Sequence, residues 1–332
     1  MPKIVRFHQF GGPENLKLDD LPSQQPGAGE VRLHVQAAGL NRAESMYYRR
    51  AYIEEAVLPS RLGYEVAGVV EAVGHGVDPS WLGKRVSTIP ATSMNQYGVL
   101  GEETLFPVSF LAEYPPNLSP IQGTSIWMQY LTAYGALVHV GNLAKDDFVI
   151  ITAASSSVGL AAIEIARAEG AIAIAATRTA AKRDDLLSFG AHHVIVTEEE
   201  DLVARVAQIT GGKGARIVFD PVCGPFVEKL ALATGSGGII FQYGALSPEP
   251  TPFPLFPAIA KNLAMRGYRV TEVIHDPAAL QTAKKYIYDR LANGRFLPKI
   301  AKVFSFAQTV EAYQYLESNA QMGKVVITME GT

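Results

Sequence analysis

DFVIITAASSSVGLAAIEIARAEGAIAIAAT, residues Asp147 to Thr177, is the stretch on which the fold turns. Phe148 to Ile151 is an unbroken apolar run, the pattern of a strand buried on both faces. Thr152 to Ser157 is a turn of very small residues. Val158 to Glu169 then predicts a helix, with Glu164, Arg167 and Glu169 on its charged side and Ala, Ile and Leu elsewhere. Gly170 stands at the helix C′ position, and Ala171 to Ala176 is a second apolar run. Strand, turn, helix and strand together have the length of a dinucleotide-binding crossover.

The turn carries the chemistry. A pyrophosphate binds a helix N-terminus because free backbone N–H groups and the positive dipole end point at it, and small side chains let it approach. The G-x-G-x-x-G positions fall on Thr152 or Ala153, on Ser156 and on Gly159, so only the last glycine is kept. Ser155, Ser156 and Ser157 compensate in principle, since hydroxyls donate to phosphate and Ser caps helices well. A serine-rich cap without a nucleotide would read the same way, so this turn alone does not decide the function.

With 332 residues, 48% of them hydrophobic and 18% charged, the chain reads as two packed globular domains. The net charge of −3 and the lack of a basic run argue against nucleic acid and anionic membranes as partners. No stretch has the length and apolarity of a bilayer span or a signal peptide. Cys223 is the only cysteine, which excludes an intramolecular disulfide and a thiolate zinc cluster. The expectation is a cytoplasmic enzyme.

Short alternating runs separated by Gly/Pro turns fill the first hundred residues, as in Val31 to Val35, Tyr64 to Gly74 and Gly83 to Val86. That is the grammar of a small distorted β-barrel. Ser119 to Val138 reads as one mixed apolar helix. From Phe148 strands are expected at 148–152, 171–176, 192–196, 216–220, 238–243 and 265–270, with helices at 157–169, 180–189, 200–210 and 224–234: a doubly wound parallel sheet. Helical patterns at 277–293 and 306–318, with strands near 299–303 and 323–327, return the tail to the β domain. The resulting domains are 1–120 with 272–332, and 121–271, with a cleft expected between the lobes.

Several segments together resemble the medium-chain dehydrogenase/reductase superfamily, most of all its zinc-free quinone oxidoreductase branch. They are Phe10 to Glu14, Ala38 to Asn41, Leu62 to Val70, Gly83 to Val86, Leu131 to Tyr134 and Gly323 to Val326, in family order along nearly the whole chain. The resemblance implies a GroES-like distorted β-barrel domain joined to a Rossmann domain. In the zinc alcohol dehydrogenases a Cys ligand occupies the place of Asn41 and a His ligand that of Tyr64, and the cysteine-rich structural lobe is missing here. Neither replacement is a credible zinc ligand, so no metal is expected. The usual turn A-A-x-G-G-V-G appears as Ala153 to Gly159, with Ser156 and Ser157 in place of two glycines.

Cofactor choice is read at the end of the second strand of the sheet, where NAD enzymes generally carry an acid. Here Thr177, Arg178 and Thr179 are followed by Lys182 and Arg183, with no acid until Asp184. Cations suit a 2′-phosphate and a carboxylate repels it, so NADPH is expected, held by Arg178 and Lys182 with Arg183 the weaker candidate. The resemblance places Asn41, Thr132, Tyr243 and Lys324 by the cofactor, and the turn assigns Ser156, Ser157, Val158, Gly159 and Thr177 to it. Glu44 and Glu65 fall where zinc relatives carry carboxylates beside the metal, and are expected to be buried, paired structural acids.

Without a Lewis acid, quinones and α,β-unsaturated carbonyls are the acceptors such a site suits, because conjugation spreads the incoming charge. Tyr64 and Tyr52 are the expected catalytic donors, Tyr64 foremost because it replaces a ligand that faces the reaction centre. Tyr47, Tyr52, Tyr64 and Trp127 are expected to line the substrate. The alternatives are an enoyl-thioester or enone reductase and a non-catalytic NADPH-binding redox sensor. By analogy a homodimer forms through the edge strand near Met265 to Val270. His192 and His193 read as structural, and Cys223 as an inert buried thiol.

Overall fold

In the computed structural model the described residues, 1–329, divide into two compact units. Among them, unit 1 is Met1–Met128 with the residues from Tyr288 onward, and unit 2 is Gln129–Ile287. Both divisions fall later than the 120/121 and 271/272 expected from sequence. The helix expected over 119–138 is broken. A single turn at Pro120–Gly123 ends at Thr124, and a second helix, Trp127–Tyr134, runs on into widened turns at Gly135–Val140.

The first part of unit 1 holds strands β1 (Lys3–Phe7), β2 (Leu16–Asp20), β3 (Glu30–Gly39), β4 (Ser60–Arg61), β5 (Glu65–Val73), β6 (Arg85–Thr88), β7 (Glu103–Pro107) and β8 (Leu111–Glu113). Unit 2 is the parallel sheet of β9 (Phe148–Ile151), β10 (Ile172–Thr177), β11 (His193–Val196), β12 (Ala215–Asp220), β13 (Thr234–Gln242) and β14 (Ala264–Gly267). Its order, β11-β10-β9-β12-β13-β14, is doubly wound: the chain runs outward one way from β9 and returns to build the other half. Buried Ile150, Ile174, Ile195, Val218 and Ile240 give the sheet its apolar centre, which is why each strand reads as a continuous hydrophobic run.

The tail adds β15 (Ile300–Ser305) and β16 (Lys324–Thr328) to unit 1, where the path β15-β16-β3-β5-β6-β8 forms the larger sheet. This is the return of the tail expected from its pattern. Register then fixes the chemistry: Gly39 on β3 lies opposite Val326 on β16 and opposite Glu65 on β5. Asn41, Glu65 and Lys324 are thereby gathered from three distant parts of the sequence. A Cβ on Gly39 would fall 2.4 Å from the Thr124 carbonyl oxygen and 2.7 Å from Lys324 Cε, so the close approach needs a glycine.

Candidate active site

In unit 1, Asn41 lies just past β3 as the N-cap of the helix Arg42–Tyr48, and its backbone N–H donates to Glu44 Oε2 at 3.0 Å. Its side-chain amide donates to the Gly39 carbonyl at 3.1 Å, to Glu44 Oε1 at 3.2 Å and to Glu65 Oε2 at 3.3 Å. Its Oδ1 accepts from Lys324 Nζ at 2.7 Å, and the same ammonium pairs with Glu65 Oε2 at 2.5 Å. Lys324 is only 1% exposed. A charge so enclosed is tolerable only with a partner and satisfied donors, and this one has both.

Glu44, fully buried, also accepts from the Tyr64 N–H at 3.2 Å and from the Tyr313 hydroxyl at 2.7 Å. Burial pushes its carboxyl above the usual range, against the pull of the Asn41 and Tyr313 hydrogen bonds and the Lys324 charge. Glu65 Oε1 accepts from the Met128 N–H at 2.7 Å, and the Glu65 carbonyl takes the Thr124 hydroxyl at 3.0 Å. Glu44 and Glu65 are thus buried and paired. Tyr313, which sequence reading passed over, closes this network; nothing in its local pattern marks it.

Zinc does not fit these residues. The Asn41 oxygen already faces an ammonium, Tyr64 offers no thiolate or imidazole, and no group of three or more His, Cys, Asp or Glu among the described residues could hold a metal. Lys324 supplies the fixed positive charge in this network.

Tyr64 is 8% exposed and donates its hydroxyl to Tyr52 at 3.3 Å, so the two expected donors do meet. Burial first, and then Tyr52 and nearby acids, raise the Tyr64 hydroxyl far above its ordinary value. Tyr47 and Trp127 are placed differently. Tyr47 is fully buried against Phe7 and Tyr52, with its hydroxyl bonded to Ser60 at 2.9 Å and Asn95 at 2.8 Å. Trp127 is 2% exposed, its indole N–H given to Ser87 at 2.9 Å. Both are core with satisfied polar tips, so neither presents a wall for substrate; aromatic rings often have that fate.

In unit 2 the small-residue turn after β9 caps the helix Ser157–Ala168. Ser156 Oγ accepts from the Gly159 N–H at 3.0 Å, and Ala153 adopts a left-handed φ of 44°. A Cβ at Gly159 would lie 2.7 Å from both Cα and the carbonyl oxygen of Ala154, which explains why this glycine alone survives. Val158 and Ser157 are half-buried in the first turn, and Thr177 is half-buried at the end of β10.

Beyond Thr177, Arg178 is exposed and pairs with no carboxylate among the described residues. Lys182 is half-buried, with its ammonium 3.1 Å from Ser155 Oγ. Burial and then the Arg178 charge lower its pKa. Arg183 is drawn away, bonded to Glu200 at 2.6 Å. At the end of β12, the fully buried Asp220 accepts from Thr152 Oγ1 at 2.5 Å and from the Val222 and Cys223 N–H groups at 2.9 and 3.0 Å. This acid was missed, although its place at a carboxyl end of the parallel sheet is a readable signal. Tyr243 stacks on Phe219, ring centroids 4.0 Å apart, and its buried hydroxyl has no hydrogen-bond partner. Thr132 is buried on the helix Trp127–Tyr134. Cys223 bonds the Gly244 carbonyl at 3.0 Å, and burial pushes its thiol up to about 11.

The chain matches the family "Alcohol dehydrogenase GroES-like domain" over residues 27–129 and "Zinc-binding dehydrogenase" over 157–285. A human quinone oxidoreductase is 32% identical, with 98% of each chain covered. A 2-haloacrylate reductase from Burkholderia is 27% identical over 97% of each. The structure of Escherichia coli quinone oxidoreductase complexed with NADPH superposes with a TM-score of 0.90 at 28% identity, covering 98% of this chain and 99% of that one.

Proposed function

The chain belongs to the medium-chain dehydrogenase/reductase superfamily, in its quinone oxidoreductase-like branch, and on that premise we propose that it is an NADPH-dependent reductase of quinones or α,β-unsaturated carbonyls that works without a metal. The observation that carries the cofactor reading is the cation pair Arg178 and Lys182 just past the end of β10, with Lys182 half-buried beside the Arg178 charge. The cofactor fits unit 2 on further grounds. Gly159 lets the helix start close against the Ala154 backbone, and the unpartnered Tyr243 hydroxyl is a buried donor in need of an acceptor. Ser157 and Val158 supply N–H groups for the pyrophosphate, with Ser156 capping the Gly159 N–H, and Thr177, Arg178 and Lys182 hold the ribose phosphate. Asn41, Thr132 and Lys324 belong to the cofactor side through the family resemblance, with Lys324 acting from beneath Asn41.

Bound NADPH supplies the hydride. Tyr64 donates a hydrogen bond to the acceptor oxygen as negative charge develops there, then its proton; its raised pKa keeps that proton in place through the neutral range. Tyr52, half-exposed, returns a proton from solvent through the hydrogen bond to Tyr64. One hydride and one proton reduce an enone to the saturated ketone, and a quinone to the hydroquinone.

An activated-alkene substrate is the second reading, supported by the relative named a 2-haloacrylate reductase. A homodimer is supported by the open edge strand β14 and by exposed Phe253, Leu255, Phe256 and Ile259 beside it; Phe256 is 81% exposed. No helix among the described residues is long and apolar enough to cross a membrane, and a cytoplasmic setting suits the NADPH reading. The test is oxidation of NADPH against NADH with a panel of quinones, enones, 2-haloacrylates and enoyl thioesters. NADPH is expected to be consumed faster than NADH with a quinone or enone. NADPH that binds but is consumed with none of them would make this a redox-sensing binding protein instead.

A further inference from the structure

In unit 1, Asn95 commits its whole side-chain amide to one neighbourhood. Its Oδ1 accepts from the Tyr47 hydroxyl at 2.8 Å and from the Val57 N–H at 2.7 Å. Its Nδ2 donates to Glu54 Oε1 and to the Glu55 carbonyl, both at 2.9 Å. An amide has no further donors or acceptors to give. Asn95 is itself placed by the short helix Met94–Tyr97: Ser93 Oγ accepts the Asn95 N–H at 3.1 Å, and Met94 is fully buried. Residues 53–59 form neither helix nor strand. Among the described residues, the hydrogen bonds of their backbone are the Val57 N–H and the Glu55 carbonyl, both to Asn95. The loop has side-chain ties as well: Glu54 to the Ser93 hydroxyl, buried Ala56, and an exposed Arg50–Glu55 ion pair of the kind that adds little.

We infer that Asn95 is a positioning residue for the reduction: it fixes the loop that follows Tyr52 and, through Tyr47, the ring against which Tyr52 packs. The Tyr47 and Tyr52 rings meet edge to face with centroids 6.4 Å apart. Whatever else Tyr52 touches, the chain just after it and the ring beside it both lead to one amide. The inference rests on the Tyr64–Tyr52 proton path proposed above and deepens it by naming what sets its geometry. At 3.3 Å the Tyr64–Tyr52 hydrogen bond already stands at the edge of useful reach, so a small shift of the loop breaks the relay.

The test pairs turnover with a probe of the loop itself, in the full chain. Asn95→Ala is expected to lower kcat for a quinone or enone by about tenfold, the scale of a misplaced rather than a missing proton donor, while the dissociation constant of NADPH holds. Cleavage of the folded protein at Glu54 or Glu55 by a glutamate-specific protease is expected to quicken by about tenfold, the worth of the backbone hydrogen bonds that close the loop. In a Tyr52→Phe background Asn95→Ala is expected to leave kcat where Tyr52→Phe puts it, since the residue acts through that tyrosine. A kcat within about twofold of the original, a matching loss of NADPH affinity, unchanged cleavage, or an undiminished loss on top of Tyr52→Phe would overturn the inference and leave the proton path standing. If Tyr64→Phe and Tyr52→Phe leave kcat untouched, the proton path itself falls, and the role of Asn95 with it.

Discussion

The buried network around Lys324 and the serine turn after β9 are both polar, yet they differ in what they leave undone. In the network, Asn41, Glu44, Glu65, Tyr313 and Lys324 satisfy one another inside unit 1. In the turn region of unit 2, Arg178 has no acid partner among the described residues and the Tyr243 hydroxyl has no acceptor. A closed set of hydrogen bonds spends its energy on holding the backbone in place, whereas an open set is waiting for something to bind. The contrast separates the scaffold of this protein from its ligand-facing chemistry, even where family position alone would treat both as site.

The harshest way to break this contrast is to open the closed side. Lys324→Met should leave the Glu65 carboxylate buried without its cation and cost about 3–5 kcal/mol, read as a lowered denaturant midpoint at unchanged slope; a loss below about 1 kcal/mol would mean the network is not held by charge. Next in size is Tyr64→Phe, which should lower kcat by about a hundredfold with little change in stability, the scale of a lost general acid. A kcat within twofold of the original would remove Tyr64 from the proton path.

On the open side, Arg178→Ala should raise the KM for NADPH by about tenfold, the worth of one charged contact, while kcat holds. Unchanged NADPH kinetics would count against the cation pair. The smallest effect is a pH dependence. The Lys182 pKa is lowered by burial and by Arg178. Its ammonium is present at lower pH and lost as pH rises through that lowered value, so kcat/KM for NADPH should fall on the alkaline side earlier than an ordinary lysine would cause. That limb should vanish in Lys182→Ala.

Much of unit 2 was legible because its strands are buried on both faces and therefore announce themselves as apolar runs; Phe148–Ile151 and the helix at Ser157–Ala168 fall nearly where the pattern puts them. The break at Thr124 to Ile126 was passed over, although Gly123, Thr124 and Ser125 are weak helix formers, because the apolar residues run on across it. Strand β13 begins at Thr234, earlier than the 238 expected, because Gly235, Gly237 and Gly238 look like a loop. Asn41 and Tyr64 could be found by resemblance, and Arg178 and Lys182 by charge. That Tyr47 and Trp127 are core, and that Ser155 meets Lys182, depend on contacts between distant segments that no local pattern records.

Asn41, Glu65 and Lys324 satisfy one another and leave zinc no ligand set among the described residues, so the central claim is hydride transfer without a metal. The most direct measurement is NADPH consumption with a reactive quinone after exhaustive dialysis against a chelator, with zinc determined in the same sample. Full activity with zinc far below one atom per chain is the expected result; activity that disappears on dialysis and returns with one equivalent of zinc would contradict it.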